Sequence, residues 1–201
     1  MTQELIMEKH PGGSDMTRHL IELSGLAPDV SSDPEPDRDA PLCQRTVRIL
    51  DMGAGDGHGV RMLRELGYDA VGIDLAPGKD AKDYILKGNF LNCPFKSQSF
   101  DVIISECAFF ISGDPSGALA EAARLLKKGG LLLLGDVSFT GEKQHIADLT
   151  NAGFSLLELE DITPLWKEYY ISCIWNGTAD KLCPCIPKGK CSYYLTICER
   201  M

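Results

Sequence analysis

The sequence predicts an α/β protein, a sheet covered by helices on both faces. Three observations carry this. From Thr46 onward, β-rich apolar runs alternate with helical stretches. The apolar runs are near-continuous rather than alternating, so both sides of the strands need cover. The 201 residues suffice for one principal domain with a proper core and are too few for two large nucleotide-binding halves.

Taken in order, Met16, Leu20, Leu23 and Leu26 recur at helical spacing after a candidate cap at Ser14, which makes 1–26 an N-terminal helical segment. Residues 27–42 hold four prolines and five acidic groups, a composition that sustains neither helix nor ladder strand, and they read as a linker. The main domain is expected over 43–201. In it, 46–52 is a strand, 59–67 a helix stopped by Gly67, and 68–74 a second strand, parallel to the first. The alternation continues with a strand at 100–105, a helix over about 114–127, a strand at 129–137, a helix near 142–152 and a strand at 154–162. Residues from Thr163 start as a helix. The run CPCIPKGKC at 183–191 cannot continue it, and 192–199 reads as the last strand.

Composition narrows the function classes. With 44% hydrophobic and 24% charged residues and a mean hydropathy of −0.08, the chain has the balance of a soluble globular protein. No apolar run approaches the roughly 18 residues that span a bilayer, so no membrane partner is expected. The 29 acidic and 20 basic residues leave a net charge of −9, which disfavours nucleic acid, although five of those acids sit in the linker. Met1 to Ser14 contains no apolar signal core, so a cytoplasmic location with reduced thiols is expected for the eight cysteines.

The most informative segment is ILDMGAGDGHG, where an apolar strand reaches Asp51 and runs into Gly53, Gly55, Gly57 and Gly59. Glycines at such a turn allow positive φ and let a ligand approach the backbone. The dinucleotide fingerprint needs Gly or Ala at its last position, but counting from Gly53 puts His58 there and counting from Gly55 puts Val60 there. An acid followed by G-x-G-x-G fits instead.

This spacing resembles the class I S-adenosylmethionine-dependent methyltransferases, specifically their small-molecule, type 11-like branch. Three further stretches carry the resemblance in the right order: YDAVGIDLAP, GNFLNCPFKSQSFDVIISE and LLKKGGLLLLGD, covering together about 46–162. The resemblance implies a Rossmann-like sheet of seven strands, mostly parallel with an antiparallel last strand. It also implies S-adenosylmethionine as cofactor and methyl transfer to a small-molecule acceptor. Asp51 is then expected to orient the loop and meet the methionine amino group, with Gly53, Ala54, Gly55 and Gly57 lining the methionine moiety. Asp74 would accept from both ribose hydroxyls and Leu75 would cover the adenine. Asn89 stands where the family has an aspartate that accepts from the adenine amino group, and its carbonyl oxygen can still accept. Phe90 and Ser105 complete the expected cofactor set. In similar enzymes an N-terminal helical segment closes over the site, which here places His10 either near the acceptor or on the surface.

Acceptor chemistry is expected after the fourth and fifth strands, where Glu106 and Asp136 are the candidate bases for an amine or hydroxyl. Cys107 is expected to face the acceptor pocket, Cys93 to be a core residue, and Cys43 to be exposed. His19, His58 and His145 form no cluster and read as solvated. Cys183, Cys185 and Cys191 concentrate three thiols in one loop, open to three readings: a soft-metal site, a metalloid-binding substrate loop, or a surface loop with free thiols. The alternative function is therefore a cofactor-binding protein of this fold whose cysteine loop serves metal, metalloid or redox binding.

Overall fold

The computed structural model describes residues 13–26, 46–79, 84–177 and 191–201. The linker, His10, Cys43, Cys183 and Cys185 lie outside them. The described strands are β1 (Arg48–Met52), β2 (Asp69–Asp74), β3 (Ile85–Lys87), β4 (Phe100–Glu106), β5 (Leu126–Ser138), β6 (Phe154–Asp161) and β7 (Ser192–Arg200). They form one sheet in the order β3-β2-β1-β4-β5-β7-β6. Neighbours from β3 to β5 pair in parallel, while β7 runs antiparallel to both β5 and β6. This is the Rossmann-like architecture expected, including the reversed last strand.

The helices are α1 (Gly13–Leu23), α2 (His58–Glu65), α3 (Pro115–Leu125), α4 (Glu142–Asn151) and α5 (Thr163–Trp175). One side of the sheet buries Ile49, Ile104, Leu133, Val137, Leu195 and Ile197 with residues of α1, α2 and α5. The other buries Leu50, Met52, Ile103, Leu132, Leu134 and Cys198 with residues of α3 and α4. Ile49, Leu50 and Met52 thus split between the two cores as strand alternation requires.

Local chemistry explains most boundaries. Gly67 ends α2 at φ 94, with Gly67 N–H donating to Arg64 O and Tyr68 N–H to Leu63 O, both at 3.1 Å. That bond pair is the glycine-terminated helix end in which orphan carbonyls are satisfied. Asp114 caps α3 by accepting from Gly117 N–H at 2.9 Å, and Pro115 occupies the first turn. Ser14, expected as a cap, is instead the second residue of α1. The helix expected to reach 127 stops at Leu125. Leu126 already pairs with Phe100, and the next paired residues are Leu131 and Val102. The intervening Gly129 at φ 72 takes up the irregularity. β3 went unseen because three residues carry no readable period.

Candidate functional site

The strand order reverses direction between β1 and β4, and open α/β sheets bind ligands beyond the carboxyl ends of the strands at such a point. The glycine loop stands there. Gly53 and Ala54 N–H both donate to Ile73 O, at 2.9 and 3.2 Å, which folds the loop back over β2. Gly53 has φ 96, and a Cβ there would lie 2.4 Å from the Ala108 Cβ. Gly55 differs: its φ is 54, and a Cβ would meet nothing within 4 Å. Gly53 is therefore required by packing, whereas Gly55 faces open space. Gly57, at φ 77, is the residue immediately before α2.

Asp74 anchors this loop. Its Oδ2 accepts from Gly55 N–H at 2.9 Å and its Oδ1 from Ala76 N–H at 2.8 Å. By strand register, Asp51 lies opposite Gly72 on one side and Ile104 on the other, so Asp51, Asp74 and Glu106 project from the same sheet face on adjacent strands. Burial pushes the Asp51 carboxyl well above the usual range, and the Glu106 and Asp74 carboxylates push it further. Thr17 of α1, itself buried, donates to Glu106 Oε2 at 2.6 Å. Three clustered carboxyl groups beside an open glycine loop favour a cationic ligand.

Leu75 is 63% exposed beside Asp74, an apolar surface available for cover. Asn89 is exposed, and its Oδ1 accepts from Leu91 N–H at 2.9 Å, capping a short turn at Phe90–Asn92. One lone pair of that oxygen is thus committed and a second remains. Phe90 is buried and stacks on Phe109 with centroids 5.8 Å apart. The Ser105 side chain is fully buried on the opposite face and donates to Met52 O at 2.7 Å, so it ties β4 to β1 beneath the loop rather than facing a ligand. Cys93 belongs to the core: burial pushes its thiol up to about 12, and its Sγ meets Phe90 O at 3.4 Å.

Glu106 pairs in register with Gly135, so Asp136 falls on the other sheet face, and the two candidate bases are not brought together. Asp136 is buried, its Oδ2 accepting from Phe110 N–H and its Oδ1 from Val137 N–H, each at 2.9 Å. Burial raises its carboxyl to about 7 against the opposing pull of these amides. It lines a cleft of about 160 Å³ between the end of β5, α3 and α4. Cys107, expected at the acceptor pocket, does not line this cleft. It adopts φ 54, and its thiol lies 3.1 Å from the Tyr193 hydroxyl, which donates to Gly135 O. Cys191 packs against the core on the α1 side. Among the described residues, no group of three or more His, Cys, Asp or Glu is placed to hold a metal ion.

Two neighbours of the site were missed in the sequence. Thr17 shares a helical face with Leu20 and Ile21, and a polar residue on that stripe was the available signal. His145, read as solvated, sits one turn before the buried Leu149. Its Nε2 lies 3.0 Å from the Thr196 hydroxyl, its ring packs on Tyr194, and burial lowers its pKa. His19 is likewise engaged, 2.7 Å from Glu160 Oε2.

Residues 50–134, from the first strand to the fifth, match the methyltransferase domain family. Over that segment the chain resembles the class I S-adenosylmethionine-dependent methyltransferases. The chain is 32% identical over 142 residues to a malonyl-[acyl-carrier protein] O-methyltransferase of Coxiella burnetii, a match covering 62% of the chain and 49% of the relative. It is also 32% identical to an arsenite methyltransferase of Aquipseudomonas alcaligenes, over 49% of the chain and 35% of the relative. The chain thus spans about half the length, or less, of these curated relatives. Its fold matches geranyl diphosphate C-methyltransferase of Streptomyces coelicolor, solved with S-adenosyl-L-homocysteine, at TM-score 0.66 and 17% identity, covering 94% of this chain and 79% of the other. The cofactor of that family is S-adenosylmethionine, and the residues of this chain fit it: an open backbone at Gly55, carboxyl groups for a cation, and an exposed leucine for an aromatic ring. No described helix is long and apolar enough to cross a membrane.

Proposed function

We propose that this protein is a cytoplasmic methyltransferase that transfers the methyl group of S-adenosylmethionine to a small-molecule acceptor. The observation that carries this reading is the cluster of Asp51, Asp74 and Glu106 on one face around the open Gly55 backbone. When bound, the cofactor supplies an electrophilic methyl on a positively charged sulfur. Asp51 meets the methionine amino group, with Gly53, Ala54, Gly55 and Gly57 shaping the backbone beside it. Asp74 holds the ribose, Leu75 covers the adenine, and Asn89 accepts from the adenine amino group, with Phe90 supporting that turn from below. Glu106 adds negative charge on the cofactor side and, through Thr17, fastens the N-terminal helical segment over the site. Asp136 is the base on the acceptor side, because a carboxyl raised to about 7 both gives and takes a proton near neutral pH.

Calorimetric titration with S-adenosylmethionine, followed by radiolabelled methyl transfer to a panel of thiols, arsenite, quinols and amines, tests this. Saturable binding and label on one class are expected. Binding without turnover on any of them would leave a cofactor-binding protein only.

Proton linkage gives a second check. A bound cation favours ionised Asp51, so binding expels the proton that burial and its neighbours retain. Without ligand, a raised carboxyl contributes stability below its unfolded pKa and loses it as pH rises through the folded value. Affinity for S-adenosylmethionine should therefore climb as pH rises from the ordinary carboxylate range through the raised Asp51 value. Asp51→Asn should flatten that climb. A parallel slope in both proteins would remove Asp51 from the amino-group role.

A further inference from the structure

The cleft beside Asp136 is separated from the glycine loop by one layer of side chains. Ala108 abuts Gly53, and the next residue, Phe109, both stacks on Phe90 and lines the cleft. At about 160 Å³ the cleft is the size of a single six-membered ring with a short arm, since an apolar cavity of about 150 Å³ accommodates benzene. Its walls include Phe109, Phe110 and Phe139, the last two packed edge to face with centroids 6.2 Å apart.

The polar groups of the lining have one sign. Asp136 and Asp148 contribute carboxyls, and no lysine or arginine is among the described residues that line it. The Asp148 carboxyl already accepts from the Gln144 side-chain amide at 2.8 Å. His145 offers no standing positive charge, because burial disfavours its protonation. An anionic head entering here would lose its hydration beside carboxyls with no cation to replace it, whereas an ammonium or hydroxyl would meet an acceptor held rigid by two backbone amides.

We infer that this cleft is a binding site for a compact molecule with a flat apolar body and a cationic or hydrogen-bond-donating head, an amine above all, with the head against Asp136.

The test is a titration of the isotopically labelled full chain, followed by amide NMR, with benzylamine, benzyl alcohol and benzoate, which share a ring and differ in head charge. Benzylamine should saturably shift the Phe110 and Val137 amides, which donate to Asp136. Benzyl alcohol should bind at least about fivefold more weakly, as expected for exchanging a charge-assisted hydrogen bond for a neutral one, and benzoate should not bind. Asp136→Asn should bring benzylamine to the level of the alcohol. Benzoate binding as tightly as benzylamine, or benzylamine leaving both amides unmoved, overturns the inference, and the wild-type panel alone decides this if the variant does not fold. S-Adenosylmethionine should shift the Gly55 and Ala76 amides independently. Failure of those shifts alone strikes at the cofactor site rather than at the cleft.

Discussion

Replacing Asp74 by alanine is expected to weaken S-adenosylmethionine binding about a hundredfold, by calorimetry. A charge-assisted hydrogen bond to the ribose contributes about 1.5–3 kcal/mol, which by itself corresponds to roughly a ten- to hundredfold loss. The upper end applies because this carboxylate also receives Gly55 and Ala76 N–H, so its removal releases the loop as well as the ligand. Asp74→Asn, keeping one acceptor oxygen, should fall between the two. Loss of Asp74 also removes one of the three influences that hold the Asp51 carboxyl protonated, so Asp51 should titrate lower in the alanine variant. An unchanged dissociation constant in Asp74→Ala would sink the ribose assignment.

The second large effect is on folding. Gly53→Ala should destabilise the protein by about 2–4 kcal/mol, because it combines a side chain at positive φ with overpacking. The new Cβ would sit 2.4 Å from that of Ala108, which the β4 carboxyl end holds against the loop, at φ 96. For a chain of this size, thermal melting should register a drop of about 5–15 °C. Gly55→Ala is the matched control. At φ 54 with nothing within 4 Å, its cost is only the left-handed backbone, about 1–2 kcal/mol. It should nevertheless lose cofactor binding, since the added methyl occupies the space beside the open backbone. Equal melting temperatures for the two variants would show that Ala108 does not confine Gly53.

Several features of the site were legible in the sequence because they are local. The strand-to-helix turn after Asp51 declares itself through glycines at positions that need positive φ, and Gly67 marks a helix end for the same reason. The acid closing the second strand stands a fixed distance along the chain from that turn. Cys93 reads as core because it stands where the family that the chain resembles has a small apolar residue. Other features were not legible. β3 is too short for a period, and Leu126 leaves its helix only because Phe100 pairs with it. Thr17 and His145 read as ordinary helix residues until Glu106 and Thr196, far along the chain, supply their partners.

By itself, then, the sequence determined the order and type of most elements, the family resemblance, and the glycine loop at the end of the first strand. Each of these depends on residues within a turn or two of one another, or on a linear spacing of motifs. The division of labour among the acidic groups was decided only by tertiary structure. Alternation along one strand is local, but whether groups on two strands share a face depends on register, which is a long-range pairing. Glu106 lies opposite Gly135 and not Asp136, and this pairing gathers Asp51, Asp74 and Glu106 on one face while sending Asp136 to a separate cleft on the other.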